Sequence, residues 1–134
     1  MSVKAVAKGV RISPRKVAVV AALVRGRSVD DAITILDHTP RHSALAVKKT
    51  ILSARANAEH NHDYKPASLV ITEISVTPGP RLKRFRTAAR GRARSFERKS
   101  AHIRVIVDGE KRAPKKTTEP KKEVAVKSEK VEAK

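Results

Sequence analysis

Cysteine is absent from this chain of 134 residues, and so is tryptophan; two Phe and one Tyr are its only aromatic residues. Without Cys there is no disulfide, no thiolate zinc site and no thiol nucleophile. Acidic residues are scarce, 13 Asp plus Glu against 31 Lys plus Arg, which leaves a formal net charge of +18. Long apolar runs are missing too. The longest, Val17 to Val24, has eight residues, whereas a membrane-spanning helix needs about 20. Basic residues precede that run, as in a signal peptide, but Arg25-Gly26-Arg27 stands where a small-residue cleavage site would be needed. Neither membrane insertion nor secretion is expected. The five Gly are scattered without phosphate-loop spacing, so an NTPase is unsupported. A chain this short also has no room for a cofactor domain, so neither a cofactor nor a small-molecule substrate is expected.

What the chain does have is positive charge, and the charge is concentrated. Residues 1–80 carry 12 basic and 6 acidic side chains, whereas residues 81–99 carry 9 basic, seven of them Arg, against a single acid. Nearly half of the net charge therefore lies in 19 residues. Such a surface attracts polyanions, nucleic acid first and anionic membrane second. The last segment, 110–134, is rich in Lys, Glu, Pro, Ala and Thr without an aromatic residue, and its composition predicts a disordered tail. The folded unit is expected to be a single domain over residues 1–109.

Within that unit the first 60 or so residues carry helical periodicity. Ser13-Pro14 marks a helix start, with the Ser hydroxyl expected to cap free N–H groups and Pro at the first helical position. Val17, Val20, Ala21 and Val24 form one apolar face, and Arg25-Gly26 offers a cation and an exit at the negative end. Ser28 and Asp31 resemble a capping box for a second helix through Leu36 that stops before Pro40. A third helix is expected from about Arg41 to His60, with Ala44, Val47, Ile51, Ala54 and Ala58 facing the core and Asn61 ending it. After Pro66 the period drops to two. Val70, Thr72, Ile74 and Val76 alternate with Ile71, Glu73 and Ser75, and Ile103, Val105 and Val107 alternate with their neighbours. Val3 to Val10 alternates as well. The expected class is α+β: a small antiparallel sheet of three strands packed against three helices, with a long protruding β-hairpin and the tail.

The hairpin follows from counting. Pairing Thr77 with His102 makes residues 78–101 a two-armed ribbon with its midpoint near Ala89 and Arg90, where Gly91 tolerates the positive φ of a tight turn. Each arm would reach about 30 Å at strand rise. A thin ribbon whose only large aromatic groups are Phe85 and Phe96 cannot bury a core of its own, and its nine cations repel one another. Phosphates resolve both problems, since Arg binds them bidentately and counterion release supplies affinity. A finger with one turn suits threading between packed helices of folded RNA better than lying along a uniform duplex.

Other constellations lead nowhere. His60 and His62, with His38, His42 and His102 elsewhere, lack metal-ligand spacing, so no metal is expected. His42 and Ser43 are adjacent on a helix and do not face each other. Asp30 and Asp31 complement a helix dipole, and Lys48, Lys49 and Arg55 lie on a wet helix face.

Three stretches, in order and in register, resemble one family. They are Arg11-Ile12-Ser13-Pro14-Arg15-Lys16 running to Arg25-Gly26; Ser53-Ala54-Arg55-Ala56-Asn57-Ala58-Glu59-His60-Asn61; and Gly79-Pro80 through Lys83-Arg84, Gly91-Arg92-Ala93 and His102-Ile103. Together they are similar to the bacterial form of the large ribosomal subunit protein twenty-two family, over roughly residues 1–109. The resemblance implies a non-enzymatic constituent of the large ribosomal subunit in the cytoplasm, one copy per ribosome. Such a protein binds large-subunit rRNA and neighbouring ribosomal proteins, aids subunit assembly, and lines the exit tunnel beside the nascent polypeptide with its hairpin. By position it implies rRNA contacts at Arg11, Arg15, Lys16, Arg25, Arg81, Lys83, Arg84, Arg86, Arg90, Arg92, Arg94, Arg98 and Lys99. The tunnel-facing tip would be Ala88, Ala89, Arg90, Gly91, Arg92 and Ala93. The family usually has Pro-Arg where this chain has Thr87-Ala88, a loss of one stiffening residue and one cation near the tip. The rival reading from composition alone is a non-ribosomal basic RNA chaperone or architectural nucleic-acid-binding protein. A membrane-active cationic protein would instead carry its charge on an amphipathic helix.

Overall fold

A computed structural model describes residues 2–112. The order is β1 (Val3–Val10), α1 (Pro14–Val24), α2 (Val29–His38), α3 (His42–His62), a short 3-10 turn at Pro66–Ser68, β2 (Val70–Thr87) and β3 (Ala93–Asp108). The three strands form one antiparallel sheet in the order β1-β3-β2, so the last strand is central. The structure is α+β, with α3 lying across β1 and β3, α1 against β2, and α2 packed on α3.

The helices form where the apolar spacing puts them, with revised ends. Val17, Val20, Ala21 and Val24 are the buried positions of α1, and Ala44, Val47, Ile51, Ala54 and Ala58 are all buried in α3. The Ala positions let α3 approach the sheet closely. Ser13 precedes α1, but its hydroxyl makes no capping bond; its carbonyl accepts from the Lys16 and Val17 N–H groups instead. At the other end Arg25 does not complement the helix. Its guanidinium donates to the Ile74 carbonyl at 3.1 Å, and Arg27 donates through Nε to the free Leu23 carbonyl. Gly26, at φ 74°, makes the turn between them, and the link to α2 then runs along the edge of β2, with Gly26 N–H on Ile71 O and Ile71 N–H on Arg27 O. That covers an edge which would otherwise present bare backbone.

Ser28 caps α2 by accepting the Asp31 N–H at 3.2 Å while its own hydroxyl donates to the Asp31 carboxylate at 2.7 Å. Asn61 does not end α3: the helix continues through His62, and Asp63 ends it in the left-handed region at φ 53°, with the Tyr64 N–H returning to Ala58 O. Asp tolerates that conformation better than most residues. Past β3, Glu110 to Arg112 do not leave the body. Lys65 N–H donates to Glu110 O and Arg112 N–H to Asp63 O, with a bridge between Tyr64 and Lys111. The remainder of the expected tail, 113–134, lies outside the described residues.

Strict alternation fails near the start of β2. A register shift between Ile71 and Glu73 lets Thr72 bulge out of the ladder, which brings Ile71 and Ile74, three apart, onto the same buried face. Val70, expected to share a face with Ile74, is 45 % exposed while Ile71 is fully buried. The two positions should therefore differ sharply in denaturant unfolding: Ile71→Ala is expected to lose about 2–5 kcal/mol, and Val70→Ala no more than about 0.5 kcal/mol. Equal losses would contradict the bulge.

Candidate nucleic-acid interface

Beyond the body β2 and β3 run on together. Thr77 faces His102, and pairing continues through Arg81 and Lys99 to Thr87 and Ala93. The root of this finger is fastened on both sides of β3. On one side β1 shifts register between Ala7 and Val10, and the Gly9 N–H donates to His102 Nδ1 at 2.9 Å. On the other, β2 shifts register between Pro78 and Arg81, and Ser100 Oγ donates to the Pro80 carbonyl at 2.6 Å. Gly79 fits into this bulge because a Cβ there would stand 2.6 Å from Ser100 Oγ and 3.3 Å from the His102 ring.

Residues directly opposite in an antiparallel ladder share a face, so the register sorts the finger's side chains. One face holds Leu82, Arg84 and Arg86 with Arg98, Phe96 and Arg94: four Arg and no acid. The other holds Arg81, Lys83, Phe85 and Thr87 with Lys99, Glu97, Ser95 and Ala93. There Glu97 pairs with Arg81 at 3.4 Å, and from Phe85 to the tip no charge remains. Charge is thus distributed unequally, and the arginine face is the more strongly positive. On it Arg86 covers Phe96, its guanidinium 4.6 Å from the ring centroid, which keeps that cation aligned along the ribbon.

The tip turns in three residues, Ala89–Gly91. Arg90 and Gly91 are both left-handed, at φ 57° and 67°, and the loop is closed by Ala88 N–H on Arg92 O at 2.7 Å and Arg92 N–H on Ala89 O at 3.4 Å. Gly91 was the expected turn residue; Arg90 in the same region was not, since a β-carbon disfavours it.

Two clefts extend the positive surface into the body, and Arg11 lines both. The first lies at the finger root between Gly9, Arg11, Leu82, Arg84, Arg98 and Lys99. The second lies where α1 and α3 begin, between Arg11, Ser13, Lys16, Arg41, His42 and Ser43. Ser43 Oγ donates to the Lys16 carbonyl and holds these helix starts together. Neither helix has an acidic residue in its first turn, so the positive ends of both dipoles add to the side-chain charge. Of the expected contact residues, the structure gathers Arg11, Lys16, Arg84, Arg86, Arg94, Arg98 and Lys99 along this track. Arg81 and Lys83 lie on the second face, Arg90 and Arg92 at the tip, and Arg15 is exposed on α1 apart from the clefts. Arg25 is occupied with Ile74. Arg41 and His42 were not expected; their only signal in sequence is a pair of cation-capable residues opening a helix with no acid in its first turn.

A small α+β body bearing a ribbon without a core of its own, with an acid-free arginine face running into clefts at its root, has the form of a nucleic-acid-binding protein. Its relatives narrow that class. Residues 5–108 match the family described as Ribosomal protein L22p/L17e. The large ribosomal subunit protein uL22 of Oceanobacillus iheyensis is 50 % identical over 111 residues, 83 % of this chain and 98 % of that protein. The chain belongs to the L22p/L17e ribosomal protein family.

The turn geometry has a measurable consequence. With no atom within 4 Å of a Cβ at Gly91, Gly91→Ala changes only backbone strain, about 1 kcal/mol. Amide exchange at Ala88 should accelerate roughly fivefold while exchange in α3 stays the same; Arg90→Asn should slow it.

Proposed function

We propose that the arginine face of the finger, Arg84, Arg86, Arg94 and Arg98, together with Arg11, Lys16 and Arg41 at its root, is the principal surface by which this chain holds large-subunit rRNA. The protein is a structural constituent of the large ribosomal subunit, with rRNA and neighbouring ribosomal proteins as its partners in the cytoplasm, and it catalyses no reaction. The observation that carries the assignment of the surface is the four-Arg, acid-free face on a ribbon with no core. Among the described residues nothing neutralises it, whereas phosphates at the spacing of an RNA strand do. Lys99 adds to the root cleft, Arg15, Arg81, Lys83, Arg90 and Arg92 add contacts on the body, the second face and the tip, and Arg25 contributes through the orientation of β2. The tip, Ala88 to Ala93, is then the part beside the nascent polypeptide, and the fastened root sets the direction in which the finger crosses the rRNA.

Crosslinking in cells tests the assignment directly. Peptides between Arg81 and Lys99 should join large-subunit rRNA at a few fixed positions, and attachment to many RNAs in proportion to abundance would contradict it. Salt dependence tests the residues. Each lost phosphate contact lowers the slope of log K against log salt by about 0.7–0.9, so Arg84, Arg94 and Arg98 replaced together by Ala should flatten it by up to about three contacts. Arg55→Ala should leave it unchanged, because Arg55 is paired with Asp30 at 2.8 Å.

A further inference from the structure

Phe85 is 73 % exposed, the most exposed large apolar side chain among the described residues. It lies on the face of the finger away from the four arginines, with Lys83 and Thr87 two positions to either side and Ser95 directly across. Its counterpart Phe96, on the arginine face, is half-buried under the Arg86 guanidinium. One ring is therefore covered and the other left bare, on a ribbon that has no core to receive it.

We propose that Phe85 is a stacking platform for one unpaired base of the large-subunit rRNA, a reading that rests on the rRNA function above. Three features select a base as its occupant. The apolar surface is a single ring bordered by Lys83, Thr87, Ser95 and Ala93, far short of the roughly 800 Å² per partner of a protein interface, whereas stacking needs only one flat ring. The small Ser95 across the ladder leaves the ring open from that side and offers a hydroxyl to a base edge. Lys83 on the same face, with the Glu97 carboxylate engaged by Arg81 at 3.4 Å, supplies a cation for the phosphate of the stacked nucleotide. The arginine face then holds backbone, and the opposite face holds a base, so that the finger is gripped between two RNA elements.

The absence of Trp from the chain provides the test. Phe85→Trp installs a single indole in the full-length protein, and binding to purified large-subunit rRNA should quench most of its emission, as stacking on a base does. Phe85→Leu, which keeps apolar bulk but no ring, should bind about tenfold more weakly, with Phe85→Tyr close to the parent. An indole whose emission stays unchanged or shifts to the blue at saturating rRNA overturns the platform, while leaving the rRNA reading intact. If the parent chain itself shows no preference for large-subunit rRNA over unrelated RNA, the reading beneath the proposal fails with it.

Discussion

The backbone ladder between β2 and β3 is the constraint on which everything else depends. In the body it is supported by burial: Ala101, Ile103, Val105 and Val107 of the central strand sit under the helices. From Ser100 outward the same ladder continues with no buried side chain on either arm. Hydrogen bonds between backbones do not depend on side-chain identity, so once the core has set the register at Thr77 and His102 and the bulge between Pro78 and Arg81 has shifted it by one residue, the ladder carries it outward and the side chains are released from packing. That release is what allows seven Arg and two Lys to occupy residues 81–99. A helical finger of the same length would scatter its charge round a cylinder; the ribbon sorts it onto two faces with different chemistry.

Register carried over such a length makes the root decisive, because a small rotation there moves the tip by many ångströms. The two outer strands both leave regular pairing beside residues 100–102 of β3, and a bulge normally adds twist and bend. Here each irregularity is tied back to β3, one through His102 Nδ1 and the other through Ser100 Oγ. The bends are thereby bonded corners and not loose hinges. Arg11 follows directly after β1 and belongs to the clefts on both sides of this point, so the same construction that aims the finger also joins its arginine face to the helix starts of the body.

Much of this is legible in sequence, and for identifiable reasons. The period of 3.6 or 2 reports which side chains are buried, and it places α1, α2, α3 and all three strands. The charge map finds the finger, and counting from Thr77 and His102 finds its midpoint near Ala89 and Arg90, but the register shift between Pro78 and Arg81 moves the arms' pairing by one residue, so that Thr87 faces Ala93 and not Arg92. What periodicity cannot carry is a break in itself: the extra residue at Thr72 moves Ile71 onto the face of Ile74, and alternation read through the bulge puts Val70 there instead. Side-chain alternatives are hidden for a different reason. Arg25 and Arg27 both follow closely on the end of α1, and which one meets a helix carbonyl depends on where β2 passes. Arg41 and His42 gain their place beside Arg11 and Lys16 only because α1 and α3 start at the same corner, a tertiary fact with no local pattern. The likeness to the L22p/L17e family supplies the partner, which charge alone leaves between rRNA and nucleic acid in general.

The tip shows how a local sequence change is absorbed. The resemblance read from the sequence puts Thr87-Ala88 where Pro-Arg is usual, and a Pro at 87 would stiffen one arm by fixing φ at the expense of a donor. In this chain stiffness has another source. Thr87 keeps its ladder position opposite Ala93, and the Ala88 N–H donates to Arg92 O. The turn beyond is closed by two consecutive left-handed residues, whose twist agrees with that of the strands feeding it. The charge absent at 88 is partly supplied by Arg90 and Arg92 on either side of Gly91. Pairing therefore reaches to the last residue before the loop, and the end of the finger keeps its shape through backbone bonds, the same means that carry its register outward from the core.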